Sequence, residues 1–148
     1  MTWEDSYLRH VAAVISEHGH AVQYVGGDPT MGEPPFAYSV GLHTRPGRPY
    51  ELAFAGGGPD LSTKVLNSLA IGLADRDVEP TEGLEIGGLL QGGLALRLRP
   101  VSRPEDLGVI HAIYGTTPPV WQALWPDRNG RFPGDARYSL PATTQPLL

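Results

Sequence analysis

Apolar residues Trp3, Tyr7, Val11, Val14 and Ile15, with His18, fall on one stripe at helical spacing, so residues 2–18 are predicted to form an amphipathic helix. Thr2 is placed to cap it, Glu4 and Asp5 suit the positive first turn, and Gly19 suits the stop. A short strand is expected over 20–25, followed by a Gly- and Pro-rich loop. The chain then reads Pro34-Pro35-Phe36-Ala37-Tyr38-Ser39-Val40-Gly41-Leu42, in which large side chains alternate with small ones. Strand side chains point alternately to opposite faces. This strand therefore has a bulky face (Phe36, Tyr38, Val40, Leu42) and a nearly bare one (Ala37, Ser39, Gly41). The bare face lets a ligand approach the backbone and is taken as a pocket floor. A second strand at 50–55 is expected to close an antiparallel hairpin. Setting Leu42 opposite Tyr50 brings Val40 to Leu52 and Tyr38 to Phe54, large against large, and puts Glu51 opposite Gly41.

Gly56-Gly57-Gly58-Pro59 is a turn, and Asp60 is expected to cap a helix over 61–75 with Leu61, Val65, Leu66, Leu69 and Leu73 on one stripe. Two more strands fit 84–90 and 94–99, joined near Gly92-Gly93. In the second of them Leu94, Leu96 and Leu98 face one way, and Ala95, Arg97 and Arg99 the other. A short helix is expected over 104–114, and Trp121 and Trp125, four apart, could share a helical turn. Pro126, Pro133, Pro141 and Pro146 predict an irregular, packed tail; Trp121, Trp125, Phe132 and Tyr138 are read as a small core that pins it, in preference to an aromatic wall of a ligand pocket or a dimer surface. The pattern gives an α+β fold of one domain: a curved antiparallel sheet of about five strands with two main helices and an irregular C-terminal tail.

Composition narrows the chemistry. The chain has 148 residues, of which 41% are hydrophobic and 18% charged, a balance that fits a single globular domain. Cysteine is absent, which removes disulfides, thiolate catalysis and Cys-based metal centres together. A formal charge of −5 disfavours nucleic acid as a partner. No basic-then-apolar leader and no apolar run of about 18 residues is visible, so no membrane partner is expected and the default location is cytoplasmic.

The stretch Pro34 to Leu42, with Glu51-Leu52 in the strand after it, resembles the DUF4262 family. So do Gln122, Trp125, Asp127, Gly130, Phe132-Pro133, Tyr138 and Gln145-Pro146 further on. The resemblance runs from about residue 5 onward. Two positions depart from the family pattern: Tyr50 separates Pro49 from Glu51, and Gly134 stands where a Trp is common. The resemblance implies a small soluble bacterial protein and carries no settled activity, so it assigns no catalytic role to any position.

The residues themselves offer one acid–base constellation. His43 ends the alternating strand, and Glu51 starts the next; across a hairpin the carboxylate could orient the imidazole as a general base. The plainer alternative is a solvated loop histidine beside a Glu that pairs with Arg45 or Arg48. Tyr38, Ser39, Gly41, Arg97 and Trp125 are the candidate ligand-binding residues, with Arg97 and Arg99 able to fork onto a carboxylate or phosphate. Gly56-Gly57-Gly58 reads as a tight turn rather than a phosphate cradle. No metal site is expected: His18 and His20 with Glu51 come nearest, and Asp127-Arg128-Asn129-Gly130 reads as a turn. No cofactor is assigned; a flavin held by Arg97 and Arg99 is not demanded by any motif. Two function classes stay open. One is a cofactor-free acid–base enzyme acting on a small molecule or peptide through His43 and Glu51. The other is a non-catalytic ligand- or protein-binding module, with a homodimer as one version.

Overall fold

The computed structural model describes residues 3–90 and 92–148. Thr2, expected as the first cap, lies outside them. Helix α1 (Trp3–His18) stops where expected: Gly19 takes φ +93° and its N–H bonds Ile15 at 2.7 Å. Strand β1 (Ala21–Val25) follows, then β2 (Phe36–Val40) and β3 (Glu51–Ala55). Helix α2 (Pro59–Asp75) starts two residues earlier than the predicted 61; Gly58 is the cap and Pro59 the first helical residue, and Asp60 lies inside the first turn. Proline fits there because the first N–H of a helix has no partner to lose.

The two later strands are shorter than expected. Strand β4 is only Glu85–Ile86, and β5 runs Leu96–Pro100. The expected 104–114 helix divides into a 3₁₀ turn, Pro104–Asp106, and helix α3 (Gly108–Tyr114). Trp121 does not share a helical turn with Trp125. It lies in a sixth strand, β6 (Val120–Leu124). Residues after it form turns only.

The six strands make one open, mixed sheet in the order β1-β2-β3-β6-β5-β4. All neighbours are antiparallel except β3 and β6, which run parallel with Glu51 beside Val120 and Ala53 beside Gln122. The fold class is α+β as expected, with six strands rather than about five and one parallel pair. The hairpin of β2 and β3 forms, but one residue out of the expected register: Phe36 pairs Ala55, Ala37 pairs Phe54 and Tyr38 pairs Ala53.

Both faces of the sheet are covered, which explains that shift. Ala37, Leu52, Phe54, Leu96, Leu98 and Ala123 pack with Val65, Leu66, Leu69 and Leu73 of α2 on one side. Tyr38, Val40, Ala53 and Val120 pack with Val11 of α1 and Ile110 of α3 on the other. A sheet between two helical layers must be filled evenly on both faces. Large beside small (Phe54 with Ala37, Tyr38 with Ala53) achieves that, whereas large against large would crowd one layer and empty the other.

Candidate functional site

Residues 41–44 and the start of β3 build one dense polar cluster. Gly41 adopts φ +95°, ending β2 and turning the chain into a 3₁₀ turn over Leu42–Thr44. The turn aims three successive N–H groups inward. Glu51 is fully buried and places its carboxylate on them. One oxygen accepts the N–H of Gly41 (3.0 Å) and of His43 (3.1 Å); the other accepts the N–H of Leu42 (3.1 Å) and the Ser39 hydroxyl (2.7 Å). Ser39 Oγ in turn accepts the N–H of Leu52 at 2.8 Å. His43 Nδ1 also lies directly on the Glu51 carboxylate. A concave run of backbone N–H groups is an anion nest. Here the anion is the chain's own carboxylate, and its hydrogen bonds are of the charge-assisted, stronger kind.

Helix α3 completes the cluster. The Tyr114 ring meets the His43 imidazole edge-on, 4.6 Å between centroids and 81° between planes. Burial raises the pKa of the Tyr114 phenol and the nearby Glu51 charge raises it further, against a smaller lowering by Thr44. Thr44 Oγ1 donates to the Gly41 carbonyl at 2.7 Å. A Cβ on Gly41 would stand 2.8 Å from the Tyr114 hydroxyl and 2.9 Å from Ile15 Cγ2, so the site has room only for glycine there. The His43 side chain is 15% exposed, and its Nε2 has no hydrogen-bond partner among the described residues.

The structure thus brings His43, Glu51, Ser39 and Gly41 together. Ala37 and Ser39 do not form an open floor: both are buried, and Ala37 packs in the layer with α2. Tyr38 points to the opposite layer, where its hydroxyl accepts the N–H of Val109 at 3.2 Å and burial raises its pKa. Arg97 is engaged elsewhere. It donates to Asp135 (2.7 Å) and Glu85 (3.2 Å) and lies 4.3 Å over the Phe132 ring. Arg99 holds Gln122 (3.1 Å) and the Leu148 backbone oxygen (2.6 Å). The two arginines therefore fasten the tail, and neither presents an empty fork. Glu51 pairs with neither Arg45 nor Arg48, and His18 is exposed at the end of α1. Tyr114 and Thr44 were not singled out from sequence. Tyr114 lies on a helix far along the chain, and no local pattern ties it to His43.

Trp125 sits apart from this cluster. Its indole N–H donates to the Ala55 carbonyl at 3.3 Å, and its backbone is bridged by Gln145, whose amide accepts the Trp125 N–H at 3.0 Å and donates to the Trp125 carbonyl at 2.5 Å. Trp125 lines an apolar cleft of about 220 Å³ with Phe54, Gly56, Gly57, Leu61 and Leu94.

The fold and this cluster define a small α+β protein with a helix-covered mixed sheet and a nested carboxylate at its centre. The chain belongs to the family described as a domain of unknown function, DUF4262, whose model matches residues 14–139. No curated protein and no solved structure matches it. Among the described residues no helix is long and apolar enough to cross a membrane.

Proposed function

We propose that His43 and Glu51 act as an acid–base pair on a small molecule or peptide. One observation carries the reading: His43 Nδ1 is held on a carboxylate that is itself fixed by three backbone N–H groups, which leaves Nε2 as the free ring nitrogen. With Nδ1–H donated to Glu51, Nε2 is the lone pair that accepts a proton. The Tyr114 ring limits rotation of the imidazole. Such chemistry needs no redox group. The proposal takes the protein as bacterial, which the resemblance implies, and as cytoplasmic, the default location read from the sequence.

A generic ester tests it. p-Nitrophenyl acetate reports a reactive imidazole, and the wild type should hydrolyse it at least about tenfold faster than His43→Ala. Equal rates in the two proteins would sink the acid–base reading. The second reading, a non-catalytic binding module, is favoured by a separate observation: both Glu51 oxygens are already engaged by the turn, as a purely structural clamp requires, while an apolar cleft opens elsewhere.

A further inference from the structure

We infer that the cleft under Trp125 is a binding site for a small, uncharged aromatic molecule of about the size of indole. It lies on the α2 side of the sheet, beside the first two turns of that helix, where Leu61 and Val65 line it. Glu51 opens β3 and Gly56 follows its last residue, about 16 Å apart at the rise of a strand, so this site is separate from the His43 cluster and does not depend on its role.

Three features specify the ligand. The first is shape. Gly56 and Gly57 leave the wall without side chains between Phe54 and Trp125. Gly56 takes φ +92°, and a Cβ on it would lie 2.0 Å from the Thr144 carbonyl, so the tail crosses here and closes one side. The second is polarity. Among the described residues no charged side chain lines the cleft, and the Trp125 N–H is already used by Ala55, which leaves aromatic and aliphatic surface facing inward. A charged ligand would lose its hydration with nothing to replace it. The third is size. A dry apolar cavity of about 150 Å³ takes up benzene; about 220 Å³ has room for a second ring.

A fourth observation lies beside the cleft. Ser62 is fully buried and its hydroxyl has no partner among the described residues. That oxygen lies 3.3 Å from where a Cβ on Gly57 would stand, next to Phe54 Cε1 and Leu61 Cδ2, two groups of the cleft wall. Buried hydroxyls are normally paired. A ligand with one N–H or O–H on an otherwise apolar ring matches this surrounding. Leu61 and Leu94 are 51% and 46% exposed, large apolar groups left in water at the rim.

Indole is the probe. In a ¹H–¹⁵N correlation titration it should shift the Trp125 indole N–H and the amides of Gly56, Gly57 and Leu94, saturating below about 1 mM, with His43 unmoved. Leu61→Glu puts a charge at the rim on a half-exposed position and should weaken binding at least tenfold. Ile71→Glu, 57% exposed and ten residues further along α2, should leave affinity within twofold. A dispersed spectrum for each variant shows that it is folded. Absence of saturable shifts, shifts that map elsewhere, or unchanged affinity in Leu61→Glu would each overturn the inference. Binding of a tryptophan-containing peptide without binding of indole would overturn it in favour of a protein-docking surface.

Discussion

Glu51 concentrates more of the fold's polar chemistry than any other side chain described above. Its carboxylate satisfies three buried backbone N–H groups, and removing its charge leaves those donors facing a neutral amide. Glu51→Gln should cost about 3 kcal/mol, read as a lower midpoint in urea unfolding. Gly41 offers a sharper comparison. Gly41→Ala meets both the left-handed backbone and the Tyr114 hydroxyl, whereas Gly47→Ala has φ +75° but open space around it. The strain at Gly47 should cost about 1 kcal/mol, and Gly41 at least twice that. Ser62→Ala runs the other way. It removes an orphan hydroxyl, so stability should stay level or rise by up to about 1 kcal/mol. A fall of 2 kcal/mol would mean that the hydroxyl has a partner. At this scale the sequence showed the small residues Ser39 and Gly41 and the pair His43 and Glu51. It did not show what the small residues are for. Gly41 is small because the chain turns left-handed against Tyr114 there, and nothing in the strand's alternation distinguishes that from an open face.

Elements were legible where one face alone decides their pattern. Helix α2 kept four of the five members of its stripe because one side meets the sheet, with Val65, Leu66, Leu69 and Leu73 all buried and Leu61, in the first turn, left half-exposed. The hairpin register was not legible by matching size to size, since both faces of the sheet are covered and bulk is shared between them. β6 was hidden for a related reason. Trp121, Ala123 and Trp125 recur at every second position, and Trp121 and Trp125 are also four apart, a spacing that suits a helix equally well. Its polar member, Gln122, is fully buried, bonding Arg99, Pro146 and Leu148. The tail has an element-scale lock of its own. Burial alone would raise Asp127, but the N–H of Arg131, the N–H and hydroxyl of Ser139 and the N–H of Asn129 outweigh it and hold the carboxyl at about pKa 2. The sign follows from linkage. A depressed carboxyl stabilises the fold above its ordinary value of 3.8 and loses that contribution as pH falls toward 2. Melting temperatures between pH 4 and 2 should therefore drop more steeply in the wild type than in Asp127→Asn. Parallel slopes would show that the turn does not depend on that charge.

The whole sheet consists of two antiparallel meanders, β1-β2-β3 and β4-β5-β6, set side by side along the parallel contact of β3 with β6. Each meander is local in sequence; the seam joins residues about 70 positions apart. Contacts of high sequence separation form late because the loop between them must close first. Amide exchange should accordingly be fastest, within the sheet, at the seam's N–H groups if the two halves open as units. Uniform protection across β3 and β6 would show a single cooperative sheet instead. The connection between the halves, residues 76–84, runs over the surface from the end of α2 to β4. A break in the chain at the exposed residues 81–82, short of Gly83 and Leu84, which bond Leu98, leaves each meander its own strand pairing. Two such fragments, fused to separate carriers, would report on whether those carriers meet: apart, each bares a second strand edge, β3 on one and β6 on the other; together, those edges knit and the nested carboxylate regains the neighbour that flanks it.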